Sequence, residues 1–133
     1  MMILDSTIII DLLRGEKNAI AKIRELEANG TELFTTQVNV FEIVQGIYGH
    51  GKHIDEELTA FEVLLNKIKT LDLTYFAAHQ AGKLAGELRR KGTTVATGDL
   101  LVAGIALANK IPAIATRNEK DFKKIPGIKV ESY

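Results

Sequence analysis

Apolar and polar positions along the chain follow two rhythms: short continuous apolar runs, and longer stretches in which apolar residues recur every three or four positions. Met2–Leu4 is a run of the first kind, ends at Asp5, and reads as a buried strand. Ser6–Arg14 carries Ile8, Ile9, Ile10, Leu12 and Leu13. Its isoleucines favour a strand, whereas Ser6 or Thr7 as N-cap and Gly15 just past the end favour a short helix, the reading preferred here. Ala19–Ala28 sets Ile20, Ile23 and Leu26 among charged residues and predicts an amphipathic helix closed by Asn29-Gly30. A second strand is expected at Leu33–Thr35. Gln37–Tyr48 places Val40, Val44 and Ile47 on one helical face, and His50–Lys52 reads as a loop. Ile54–Asn66 predicts another amphipathic helix and Thr70–Leu73 a third strand. Thr74 caps a long helix that runs to Lys91 and stops at Gly92. Thr97-Gly98-Asp99 opens a helix through Asn109, Ala113–Ala115 is a fourth strand, Asp121–Lys124 a short helix, and Ile128–Val130 a short last strand. Strands alternating with helices imply an α/β fold: a single three-layer α/β/α domain over residues 1–133 with a mainly parallel central sheet. No repeat, linker or low-complexity segment interrupts it.

Composition narrows the function classes. The chain has no cysteine, which excludes disulfides and thiolate zinc sites and suits a reducing cytoplasm. No apolar segment approaches the roughly 20 residues of a membrane span. The opening Met1-Met2-Ile3-Leu4-Asp5 lacks the basic stretch and longer apolar run of a secretory signal. A soluble, cytoplasmic protein without membrane contact is therefore expected. Seventeen Lys plus Arg balance seventeen Asp plus Glu. That balance argues against a protein that coats nucleic acid, and leaves room for a local basic rim around an acidic pocket. With 6% aromatic residues and no Trp, base readout by aromatic stacking has no support.

The candidate chemistry lies in acids placed where an open α/β sheet puts its sites, at the carboxyl ends of the strands. Asp5 follows the first strand, and Thr116-Arg117-Asn118 follows the fourth. Asp99 stands in the first turn of a helix, and Glu42 about one turn into the helix after the second strand. Glu42 is flanked by Val40, Phe41, Ile43 and Val44, with Gly46 leaving room one turn on. A carboxylate in such company needs a partner, hydrogen bonds or a metal. Several carboxylates sharing one site repel, and a hard divalent cation such as Mg²⁺ or Mn²⁺ resolves the repulsion. The chemistry that follows is phosphodiester hydrolysis. Each acid also has a purely structural reading. Asp5 would cap the next helix, Asp99 would gain roughly 0.3–1 kcal/mol from the helix dipole, and Glu42 would pair with a Lys or Arg. Asp11 and Asp121 read as solvated.

Four segments carry a resemblance: Ile3-Leu4-Asp5-Ser6-Thr7, Phe41-Glu42-Ile43-Val44-Gln45-Gly46, Gly98-Asp99-Leu100-Leu101-Val102-Ala103-Gly104 and Thr116-Arg117-Asn118-Glu119-Lys120-Asp121-Phe122. In this order and spacing they resemble the PIN-domain family, and within it the VapC-like toxins of toxin–antitoxin pairs, over essentially the whole chain. The resemblance implies a Mg²⁺-dependent endoribonuclease (Mn²⁺ serving as a substitute) that forms a homodimer and is blocked by a small antitoxin. Carried over by position, Asp5, Glu42 and Asp99 match the acidic metal positions, with Asp5 and Asp99 as the more direct ligands and Glu42 completing the pocket. Asn118 occupies a position where the family often has a fourth acid, and Asp121 follows three residues later. Thr116 matches the hydroxyl that steadies the first aspartate.

Arg14 and Arg117 lie beside the acids in sequence and are candidates for contacting the RNA backbone. Arg89-Arg90-Lys91 reads first as favourable charge at a helix C-terminus. His50 and His53 are three residues apart but lack a third ligand, and His79 reads as a helix-surface residue. The small side chains Ala77, Ala78, Ala81, Gly82, Ala85 and Gly86 suggest close helix packing. Competing readings are a receiver-like signalling domain, a phosphatase of the haloacid-dehalogenase type, and a non-catalytic α/β binding module. The first wants an acidic pair after the first strand and a late lysine. The second wants an Asp where Thr7 stands.

Overall fold

The computed structural model describes residues 1–133. In chain order the elements are β1 (Met2–Leu4), α1 (Ser6–Leu13), α2 (Lys17–Ala28), β2 (Leu33–Thr36), α3 (Gln37–His50), α4 (Ile54–Leu65), β3 (Lys69–Leu71), α5 (Tyr75–Arg90), α6 (Thr97–Ala108), β4 (Ala113–Ala115), α7 (Glu119–Phe122) and β5 (Lys129–Glu131). Each element expected from the pattern is present, with shifts at the ends. His50 belongs to α3, which stops only at Gly51, a residue with φ of +71° that glycine adopts without steric cost. The short helix α7 starts two residues before its expected position, and β3 ends before the exposed Asp72-Leu73 pair.

The isoleucine-rich segment after Asp5 is a helix because tertiary packing outweighs local preference. Ile8 and Ile9 are fully buried, each worth about 1.5–3 kcal/mol, against a helix-propensity cost below about 0.7 kcal/mol per residue. Asp5, rather than Ser6 or Thr7, stands at the N-cap position, yet its side chain makes no capping bond. Threonine caps open two other helices: Thr36 Oγ1 accepts from the Asn39 amide, and Thr74 Oγ1 from the Ala77 amide.

The five strands form one sheet in the order β3-β2-β1-β4-β5, and every pairing is parallel. Ile3 pairs with Phe34 on one side and Ile114 on the other. Side chains alternate across the sheet. Ile3, Phe34 and Ile114 join the core under α5, α6 and α7, whereas Met2, Leu4 and Ala115 join the core under α1 to α4. These two cores are the interfaces of a three-layer α/β/α sandwich.

Strand order moves outward from β1 to β3, then returns to β4 on the other side of β1. The reversal makes a crevice between the carboxyl ends of β1 and β4. Receiver-type domains have the order 2-1-3-4-5, so the topology removes the receiver-like alternative. The small side chains of α5 do pack closely, at Ala77 and Ala81. A Cβ on Gly104 of α6 would lie 2.5 Å from the Ala77 carbonyl and 2.7 Å from the Ala81 Cβ. Gly82 and Gly86 face open space instead. No helix is long and apolar enough to cross a membrane.

Candidate metal centre

The crevice between β1 and β4 is lined by polar side chains from four segments. Asp5, directly after β1, is 4% exposed, and three neutral donors hold its carboxylate. Asn39 Nδ2 donates to Oδ1 at 3.0 Å, Thr116 Oγ1 donates to Oδ2 at 2.8 Å, and Thr7 Oγ1 lies 3.3 Å from Oδ2. Thr116 follows β4, so the Asp5–Thr116 bond spans the switch point of the sheet. Glu42, on the inward side of α3, accepts from Ser6 Oγ at 2.7 Å, and Asn39 Nδ2 lies 3.4 Å from the same oxygen. Asp99, in the first turn of α6, accepts from Asn118 Nδ2 at 3.0 Å. Asn118 is held in turn, its backbone amide donating to Thr116 Oγ1 at 2.9 Å.

These bonds decide the structural readings of the acids. Asp5 spends its side chain on the crevice and not on capping α1. Asp99 makes no capping bond, and no Lys or Arg pairs with Asp5, Glu42 or Asp99. The uncompensated charge is felt by Asp99, whose carboxyl is pushed from its ordinary 3.8 up to about 7. Burial is the largest cause, followed by repulsion from Asp5, Glu42 and Asp121. Asp121 is therefore near enough to act on the cluster, although its own carboxylate is half-buried and sits 3.5 Å from Lys124. It is not the solvated acid expected from its place in the sequence. Asn118 contacts Asp99 directly, whereas Asp121 acts on it only through its charge.

The donor set suits a hard cation. It is composed of carboxylate and hydroxyl oxygens, with no histidine or cysteine, and its negative charge is unbalanced. No three acids close on a common point as a rigid all-protein cage would require. A hard cation held there would take one or two carboxylates directly and keep several of its waters. Space at Glu42 comes from an unexpected residue. A Cβ on Gly46 would meet nothing within 4 Å, whereas a Cβ on Gly98 would come within 3.0 Å of Glu42 Oε2. Gly98, rather than Gly46, leaves room for the carboxylate.

Several functional contacts escape a reading of the sequence. Asn39 is fully buried and links Asp5, Ser6 and Glu42 through one amide, while Thr36 donates to its carbonyl oxygen at 2.7 Å. The available signal is its position three residues before Glu42, on the same helical face. Asp11, expected to be solvated, is 4% exposed and ion-paired to Arg117. Arg14 is not brought to the acids. It follows the last turn of α1, about 13 Å along the helix from Asp5, and borders a groove with Ile10, Leu13, Ile43 and His50. His50 and His53 pair with Glu57 and Glu56, away from the acids, and His79 stands beside Tyr75.

Comparison with known proteins agrees with this geometry. The family model described as PIN domain matches residues 2–128. A similar curated protein is the tRNA(fMet)-specific endonuclease VapC of Salmonella typhimurium, 32% identical over 120 residues, which cover 88% of each chain. Among solved structures, VapBC2 from Rickettsia felis, bound to a DNA fragment from its promoter, superposes with a TM-score of 0.87 at 22% identity, covering 99% of this chain and 98% of the other. A toxin–antitoxin complex from Klebsiella pneumoniae gives a TM-score of 0.74 at 21% identity, covering 97% and 96%. With the family model matching nearly the whole length, the chain belongs to the PIN-domain family.

Proposed function

We propose that this chain is a Mg²⁺-dependent endoribonuclease, the toxin component of a VapBC-type toxin–antitoxin pair, which hydrolyses RNA phosphodiesters at the cluster of Asp5, Glu42 and Asp99. The observation that carries this reading is the crowding of unpaired carboxylates at the switch point, expressed in the raised Asp99 carboxyl. Such an arrangement costs stability unless a cation joins it. The endonuclease name of the Salmonella relative supports the choice of RNA as substrate. A cytoplasmic location follows from that substrate.

In this reading Asp5 and Asp99 are the direct ligands and Glu42 completes the pocket, directly or through water. Mg²⁺ bound there, or Mn²⁺ in its place, would supply a water of lowered pKa and a counter-charge for the phosphate. The chain's own residues orient and hold. Thr116 and Asn39 fix both oxygens of Asp5, Ser6 fixes one oxygen of Glu42, and Asn118 fixes Asp99. Asn118 adds no charge, and Asp121, three residues on and beside Lys124, is the candidate substitute for a fourth negative corner. Four aromatic side chains, Phe41 and Tyr48 on α3 and Tyr75 and Phe76 at the start of α5, are exposed. They suit burial against a small antitoxin and a second copy of the chain.

The test is cleavage of end-labelled RNA by the purified protein in Mg²⁺ and in EDTA. It is paired with mapping of cellular RNA ends after expression with and without a candidate antitoxin. Cleavage that survives EDTA, or that Asp5→Asn leaves unchanged, would contradict the proposal.

A further inference from the structure

A second buried carboxylate lies at the rim of the acid cluster, and the proposed cleavage reaction does not use it. Asp11 is on α1, six residues after Asp5, about 9 Å along the helix. Its two oxygens accept from the same nitrogen of Arg117, Nη1, at 2.8 and 2.9 Å, and the Tyr133 hydroxyl donates to Oδ2. The residues on either side of Arg117 are tied to the cluster by their side chains. Thr116 donates to Asp5, Asn118 donates to Asp99, and the Arg117 amide itself donates to Thr7 Oγ1 at 2.9 Å. Arg117 therefore leaves the crevice from a fixed point and is turned toward α1 by a fixed acid. Its Nε and Nη2 make no hydrogen bond within the protein, and the side chain is 60% exposed. A guanidinium held by one nitrogen keeps the opposite edge as a two-pronged donor, the geometry that matches a phosphate.

We propose that Asp11 and Tyr133 are positioning residues that aim the open Nε–Nη2 edge of Arg117 at a phosphate of single-stranded RNA next to the one cut at the acid cluster. The inference rests on the ribonuclease reading for its ligand. Its geometry stands on the Asp11–Arg117–Tyr133 contacts alone. The spacing of Asp11 from Asp5 assigns Arg117 to strand binding and not to the bond being broken. Asp11 keeps the guanidinium from collapsing onto the acids, where it would neutralise the site.

The test is binding of a fluorescently labelled single-stranded RNA to the intact protein in Mg²⁺ over a series of salt concentrations, with cleavage kinetics and melting temperature measured beside it. Arg117→Ala is expected to weaken binding and raise KM roughly tenfold, the scale of a lost charged hydrogen-bond pair. It should also reduce the slope of log affinity against log salt by about 0.7, one phosphate contact on a single strand. Arg117→Lys keeps the charge and hence the slope, but loses the fork and weakens binding. Tyr133→Phe, which removes one hydroxyl, is expected to raise KM by less than Arg117→Ala with the melting temperature nearly unchanged. Asp11→Asn is expected to raise KM likewise, and Tyr133→Phe carries the positioning test if that variant fails to fold. Affinity, KM and salt slope unchanged in Arg117→Ala, with only the melting temperature lowered, would make the trio a structural ion pair and overturn the proposal. Tight RNA binding without cleavage by the wild-type protein would overturn the ribonuclease reading instead, while the slope and the Lys variant would still decide the role of Arg117.

Discussion

Asp5 and Asp11 are six residues apart, one at the head of α1 and one within it, and each is 4% exposed. Their neighbours are opposite in kind. Asp11 is met by a guanidinium and a phenol, so its charge is balanced within the protein. Asp5 is met by an amide and two hydroxyls, which orient the carboxylate without cancelling it. The acids nearest to it, Glu42 and Asp99, are also free of any cationic partner. A buried acid balanced by the chain serves packing or positioning. A group of acids left unbalanced at a crevice is arranged for a charge that comes from outside. Burial alone does not distinguish the two. The identity of the donors does.

The largest expected effect separates the two centres by activity and stability together. Asp99→Asn should lower cleavage in Mg²⁺ by at least about a hundredfold, since several kcal/mol of charge stabilisation are lost. The same change should raise the melting temperature of the metal-free protein, because it removes a carboxylate that folding drives toward neutrality. Asp11→Asn should do the reverse in stability, costing about 1–2 kcal/mol by denaturant unfolding. That is below the roughly 3–5 kcal/mol of a fully buried pair, because Arg117 is largely in water.

A second effect is read with pH. The Asp99 carboxyl rises from 3.8 to about 7 on folding. Between those values the folded protein keeps a proton that the unfolded chain has released, so stability falls as pH rises through the window. In EDTA, the melting temperature should therefore drop from about pH 5 to about pH 8. Asp99→Asn should flatten that drop. Saturating Mg²⁺ should stabilise more at the higher pH, where no proton competes for the site. A smaller effect is expected from Gly98→Ala. The new Cβ meets Glu42 Oε2 at 3.0 Å, while a helical Gly-to-Ala change otherwise gains about 0.5–1 kcal/mol. Cleavage should fall several-fold with the melting temperature held or raised.

The order of elements is legible in the sequence because it is a local signal, whereas Asp5, Glu42 and Asp99 stand out as a set only when their segments are read together as a resemblance. Asp5 ends an apolar run, Glu42 sits among valines and isoleucines, and Thr74 precedes a long helical pattern. What stays hidden is pairing between distant segments. Asp11 looks like any acid near a helix end until Arg117, far along the chain, folds against it. Asn39 looks like a polar interruption between Val38 and Val40 until α1 and α3 bring Asp5, Ser6 and Glu42 around its amide. Arg14 and Gly46 show the same limit from the other side. Each is close to an acid in sequence, but the helix carries Arg14 away from Asp5, and Gly46 faces open space.

The central claim is that unbalanced acids at the β1–β4 crevice hold a divalent cation for RNA cleavage. Its most direct measurement is calorimetric titration of Mn²⁺ into the wild-type protein and Asp99→Asn, run beside RNA cleavage by the same samples. The account expects binding and Mn²⁺-supported cleavage by the wild type, and loss of both in the variant. Equal binding and equal cleavage by the two proteins would contradict it.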